Sequence, residues 1–150
     1  MKLAEALLLR SDQQKKIISL KQRINANVLV QDGDKPSEDP NELLKQVFAL
    51  IQELSYAIHE TNALTKLNDG RSLLALLTLR DEFVEQHKTL TAAISNTSRE
   101  SDRYSTREIK WHKVIPVSSL QKQADDISLK LRDLNVLIQS SNWKIDLIDA

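Results

Sequence analysis

Residues that end helices or allow tight turns are scarce in this sequence. Two glycines and three prolines are spread over 150 positions, where average usage of roughly 12% would place about 18. A β-sandwich or barrel needs a turn every few residues, so the composition argues strongly against both. Leucine, lysine, glutamine and serine dominate, and the chain reads as one domain of long helices, mainly α.

Apolar residues recur at helical spacing and place the elements. Leu3, Leu7, Ile17, Leu20 and Ile24 mark a first helix over about 2–26. Leu43, Val47, Ile51, Leu54 and Ile58 mark a second over about 41–67. It opens at Asp39-Pro40, with Glu42 placed for a capping box, and ends before Asp69-Gly70. A third helix, about 72–98, carries Leu73, Leu77, Val84, Leu90 and Ile94. A fourth, about 118–143, carries Leu120, Ala124, Ile127, Leu131, Leu134 and Ile138 at alternating steps of four and three, a coiled-coil-like seam. Ser118 and Gln121 supply its expected capping box. Val28 and Val30 alternate ahead of the Asp32-Gly33 turn, and Ile109, Trp111, Ile115 and Val117 follow a similar pattern. These two stretches, 28–31 and 109–115, are expected to pair as a short β ribbon at one end of a four-helix bundle.

The helices repeat. At an offset of 80, Val47, Ile51, Leu54, Ile58, Asn62 and Leu67 fall on Ile127, Leu131, Leu134, Ile138, Asn142 and Leu147. At an offset of 70, Leu3, Leu7, Leu9, Arg10, Leu20 and Ile24 fall on Leu73, Leu77, Leu79, Arg80, Leu90 and Ile94. Amphipathic helices match cheaply at leucine, but the Arg10/Arg80 and Asn62/Asn142 pairs do not follow from amphipathicity. The expected bundle is therefore two related helical hairpins.

Basic and acidic side chains balance at 21 each, which removes the broad attraction of a general nucleic-acid binder. With no cysteine, thiol catalysis, disulfides and cysteine zinc sites are excluded. Glu5 interrupts the apolar start and no stretch is long enough to span a bilayer, so a cytoplasmic address is expected and membrane association is not. The basic face of Lys15, Lys16 and Lys21 to Arg23 reads as a solvated helix surface.

Candidate functional groups are few. Arg10 and Arg80 lie on apolar stripes, as a polar core layer or a pair of anion ligands. Asn62 and Asn142 lie near helix ends, suited to capping and docking of the hairpins. Tyr104, Trp111 and Trp143 are candidate interface residues. His59, His87 and His112 are dispersed. Glu82 and Glu85 form an E-x-x-E pair, with Asp125 and Asp126 as the acidic companions that a metal-dependent phosphohydrolase would need. The second E-x-x-D and any Glu-x-x-His are missing, so no metal, cofactor or catalytic set is expected. The leading expectation is a non-enzymatic homo-oligomer, with an unknown protein partner as a further possibility.

The stretches KLAEALLLRSDQQKKI, VQDGDKPSEDPNELL, ETNALTKL, YSTREIKWHKVIPVSSLQKQADDISLKLRDLN and IQSSNWKIDL span nearly the whole chain. Together they resemble the septicolysin-like family of small bacterial proteins, mostly uncharacterised. That resemblance implies a mostly helical cytoplasmic protein, and the family name suggests a membrane-active cytolysin. It supplies no catalytic residue.

Overall fold

A computed structural model describes residues 1–52, 54–98 and 111–148. It contains α1 (Leu3–Asn27), α2 (Pro40–Gln52), α3 (Ser55–Leu64), α4 (Leu73–Asn96) and α5 (Val117–Lys144). The chain is mainly helical, consistent with a helical bundle. It divides into two compact units, one of residues 1–73 with 139–150 and one of residues 74–138.

In the first unit, Leu20, Ile24, Leu43 and Val47 form a buried cluster joining α1 to α2, with Ile17, Leu44 and Leu50 packed against it. The i, i+4 spacing within each helix puts these side chains on one face. Leu3, Ala6, Ile58 and Leu73 are also fully buried. In the second unit, Leu76, Leu120, Ala124, Leu134 and Ile138 are buried, as expected for the seam of α5.

The expected second helix is two helices. Leu54 stands between them in a left-handed conformation, φ 61°, although neither glycine nor proline is nearby. Leu43, Val47, Ala57, Ile58 and Thr61 are buried on either side of the break, whereas Ile51, expected inward, is half exposed and Leu50 packs against the core instead. Its repeat counterpart, Leu134, lies within the continuous α5.

The β ribbon is not supported. Among the described residues there is no strand, and 109–110 fall outside them. Val28, Leu29 and Val30 are exposed, and the backbone from 28 to 39 is closed by side chains instead. Asn27 donates through Nδ2 to the Arg23 carbonyl at 2.8 Å. Its Oδ1 accepts from the Ser37 hydroxyl at 3.0 Å and from the Glu38 N–H at 3.1 Å. Arg23 grips the Glu38 carboxylate with two N–H groups. Gly33, at φ 88°, makes the turn in which the Asp34 N–H donates to the Gln31 carbonyl.

Caps were read with mixed success. Asp39 Oδ1 accepts from the Asn41 N–H at 2.9 Å, and the Asp39 carbonyl accepts from Leu43. Glu42, expected in a capping box, accepts from Lys45 instead. α5 begins on the Pro116 carbonyl, which accepts from Ser119 and Leu120. Gln121, expected to accept from the cap, donates through Nε2 to Asp125 at 2.9 Å.

The repeat extends to the backbone hydrogen bonds. Between α3 and α4, Lys66 and Ser72 form an isolated antiparallel bridge, and the Leu67 N–H donates to the Arg71 carbonyl at 2.8 Å. At the chain ends, Asp146 and Lys2 form the same bridge, and the Leu147 N–H donates to the Met1 carbonyl at 2.9 Å. Each of these atoms maps onto its counterpart by the offsets of 80 and 70. The preceding helix ends match as well: Thr65 N–H donates to the Thr61 carbonyl, and Ile145 N–H to the Ser141 carbonyl, both at 3.0 Å.

The contrast between Leu54 and Leu134 can be measured. Glycine relieves a left-handed penalty of about 1 kcal/mol at position 54 and adds a helix-interior cost of about 1 kcal/mol at position 134. In urea unfolding, Leu134→Gly is therefore expected to be about 1 kcal/mol less stable than Leu134→Ala, and Leu54→Gly about 1 kcal/mol more stable than Leu54→Ala. A glycine that destabilises relative to alanine at both positions would mean that the left-handed conformation contributes nothing.

Candidate functional site

In the second unit, the end of α4, the segment 111–115 and the first turn of α5 enclose an open groove of about 480 Å3. Trp111, Val114, Ile115, Leu120 and Ala93 give it apolar walls; Asn96, Thr97, His112 and Lys113 add polar groups. α4 closes with Thr97, whose N–H and hydroxyl both donate to the Ile94 carbonyl. Pro116 then sets the start of α5, so the wall segment is held between two helix termini.

This lining is suited to recognition. An apolar surface with a few polar groups fixes the orientation of an occupant. Among the described lining residues there is no carboxylate, and the Thr97 hydroxyl donates to a carbonyl. Trp111 is 64% exposed and Val114 94%, so the chain's own core does not cover them.

A second apolar surface runs along α2 and α3 in the first unit. Phe48, Ile51 and Tyr56 are all at least half exposed, and the Tyr56 hydroxyl donates to Glu60 at 3.4 Å. Phe48 was not singled out in the sequence, because it follows the buried Val47 and reads as part of the same apolar run.

The candidate residues fall out as follows. Arg10 is half-buried in the first unit, and Arg80 is half-buried in the second. Arg80 donates to the carboxylate of its neighbour Asp81 at 3.4 Å, a long contact at the surface, where such pairs contribute little. Asn142 is buried, at 6% exposure, and Asn62 half-buried, both close to the paired chain ends. Trp143 is 56% exposed. Trp111 lines the groove, and neither tryptophan packs a ribbon against helix ends. Tyr104 lies outside the described residues.

Among the described residues, no three His, Asp or Glu side chains gather where they could hold a metal ion. Glu85 accepts from Lys88, and Asp125 accepts from Gln121. In the basic face of α1, Arg23 is engaged by Glu38 and Lys15 pairs with Asp12 at 3.5 Å. No described helix is long and apolar enough to cross a membrane.

Two groups that the sequence reading missed hold the chain ends. Thr61, fully buried, donates its hydroxyl to the Ala57 carbonyl at 2.6 Å and accepts from the Ile148 N–H at 2.9 Å. Lys2 pairs with Asp146 at 2.7 Å and donates to the Lys144 carbonyl at 3.2 Å. The only advance signal was register, since Thr61 falls on Ser141 and both carry a hydroxyl.

Fold and site together describe a helical protein with two exposed apolar surfaces. The chain belongs to the family of unknown function DUF6847, whose sequence pattern matches residues 10–147. It is similar to the crystal structure of a functionally unknown conserved protein from Corynebacterium diphtheriae. That similarity has 32% identity, covers 99% of each chain and has a TM-score of 0.87. No curated protein matches the chain.

The ion pairs set an acid response. The Lys2 ammonium, hydrogen-bonded to Asp146, holds that carboxyl below its ordinary range. Arg71 does the same to Asp69, and Arg23 to Glu38. Carboxyls lowered on folding add stability above their unfolded pKa and lose it as the pH falls through the folded one. The unfolding temperature is expected to drop on acidification below about pH 4. Asp146→Asn should flatten part of that drop; an unchanged profile would remove the terminal pair from the account.

Proposed function

We propose that the protein is a non-enzymatic helical-bundle module that self-associates in the cytoplasm, with the Trp111 groove as contact surface. The observation that carries this reading is the exposure of Trp111, Val114 and Ile115 along a groove with largely apolar walls. Aromatic residues are enriched at the centres of protein interfaces. Covering apolar surface contributes roughly 25 cal/mol per Å2. Most oligomers of soluble proteins are made of identical chains, so a second copy is the partner of choice.

Native mass spectrometry and light scattering across a dilution series test the proposal. The expected result is a discrete multiple of the 17.1 kDa chain. Trp111→Ser combined with Ile115→Ser should shift it to a single chain with unchanged helical signal. A wild-type monomer over the whole series overturns self-association. Persistent extra mass released only on denaturation would replace the second copy with another partner. Release of liposome contents by the purified protein would instead support the lytic activity implied by the septicolysin-like resemblance.

A further inference from the structure

We infer that the occupant of the Trp111 groove is the loop after α1, Val28 to Asp34, of a second copy, so that association joins two unlike surfaces. The inference rests on the self-association proposed above and names the surface that meets the groove.

The loop presents apolar side chains outward from a fixed base. Val28, Leu29 and Val30 follow the end of α1 and are all exposed, Leu29 at 87%. Beneath them the buried Asn27 accepts through Oδ1 from the Ser37 hydroxyl and the Glu38 N–H, and donates through Nδ2 to the Arg23 carbonyl. Arg23 holds the Glu38 carboxylate at the far end of the loop. Left-handed Gly33 completes the turn in which the Asp34 N–H donates to the Gln31 carbonyl. A loop already held in one conformation loses little further freedom on binding. Three consecutive exposed apolar side chains on such a base form a surface suited to burial against a partner.

Loop and groove complement each other in charge as well as in polarity. The groove has apolar walls in Trp111, Val114 and Ile115 and a basic group in the exposed Lys113, beside His112. Among its described lining residues there is no carboxylate. The loop carries the reverse set: its apolar residues are followed by Asp32 and Asp34, both exposed, and no basic side chain precedes Lys35. Apolar contact supplies the free energy, and the charges fix the direction in which the loop lies. Two grooves face to face would instead bring basic groups together with no carboxylate between them. The loop lies in the unit of residues 1–73 with 139–150, and the groove in that of residues 74–138. A contact between unlike surfaces leaves one loop and one groove free in a pair of copies, unless the pair is reciprocal.

Native mass spectrometry of the full chain over a dilution series tests the inference. Leu29→Ser combined with Val30→Ser should raise the dissociation constant at least about tenfold with unchanged helical signal. Leu29→Met should leave it within about threefold. Lys113→Glu and Asp32→Lys should each weaken association about three- to tenfold, and a chain carrying both should recover most of that loss. The decisive measurement mixes the Leu29→Ser, Val30→Ser variant with the Trp111→Ser, Ile115→Ser variant, each a single chain by itself. The expected product is a pair with one chain of each kind that grows no further, because the mixture keeps one intact loop and one intact groove. Failure of the two variants to pair overturns the inference. A loop variant that associates like the wild type, while the groove variant does not, overturns the loop as occupant and leaves self-association standing. Dissociation by Phe48→Ser with the loop variant unaffected would move the contact to the α2–α3 face. A wild-type monomer at every dilution removes both readings.

Discussion

Two backbone hydrogen bonds, from Leu3 N–H to the Ile145 carbonyl and from Leu147 N–H to the Met1 carbonyl, hold the start of α1 to the end of α5. Helix termini leave unpaired N–H and carbonyl groups, and chain ends fray unless tied down. Here each end supplies what the other lacks. The closure also places Leu3, Ala6, Ile58 and Thr61 in a region from which water is excluded. The exposed Lys2–Asp146 pair adds orientation, since surface ion pairs are screened and contribute modestly. The buried Thr61 hydroxyl satisfies the Ile148 N–H, and leaving a buried donor unsatisfied is costly.

The two repeats differ where the chain becomes apolar toward solvent. Positions that match are structural: Leu3 and Leu73, Ile58 and Ile138, and the helix-end hydroxyls of Thr61 and Ser141 are all buried. Positions that differ lie on the outside. Exposed Phe48 stands where the second repeat has Ser128. The backbone differs at a matched residue, since Leu54 is left-handed where α5 runs straight through the buried Leu134. The connections after α1 and α4 differ too: the first is clasped by Asn27 and Arg23, and the second carries the Trp111 segment. A duplicated scaffold holds the backbone, and departures from duplication carry exposed apolar side chains.

Helix positions were legible because a spacing of three and four survives in the sequence whatever the helices pack against. The repeat was legible for the same reason, with Arg10/Arg80 and Asn62/Asn142 adding residues that helical pattern does not demand. The ribbon was misread because two alternating valines are too few to separate a strand from an exposed loop. The groups that close this loop, Asn27, Arg23, Ser37 and Glu38, are polar residues whose pairing over ten or more positions leaves no periodic trace. Leu54 was invisible, since the apolar spacing in the sequence continues past it and leucine is not a residue that signals positive φ; the break shows only in the structure, where Ile51 turns outward. Arg10 and Arg80 kept their stripes without becoming a buried layer: both are half-buried, as expected of stems lying on apolar surface with heads toward water.

Charge bears on the proposed role of the apolar surfaces. The ion pairs of the described residues are local or close loops and ends: Lys15 with Asp12, Lys45 with Glu42, Lys88 with Glu85, Arg71 with Asp69, Arg23 with Glu38. Net charge is zero, so no long-range field steers a partner toward one face. Under those conditions an encounter gains its free energy from surface removed from water. The places where that surface is large are the Trp111 segment and the α2–α3 face. The Trp111 segment belongs to one compact unit, and the α2–α3 face shares the other with the paired chain ends.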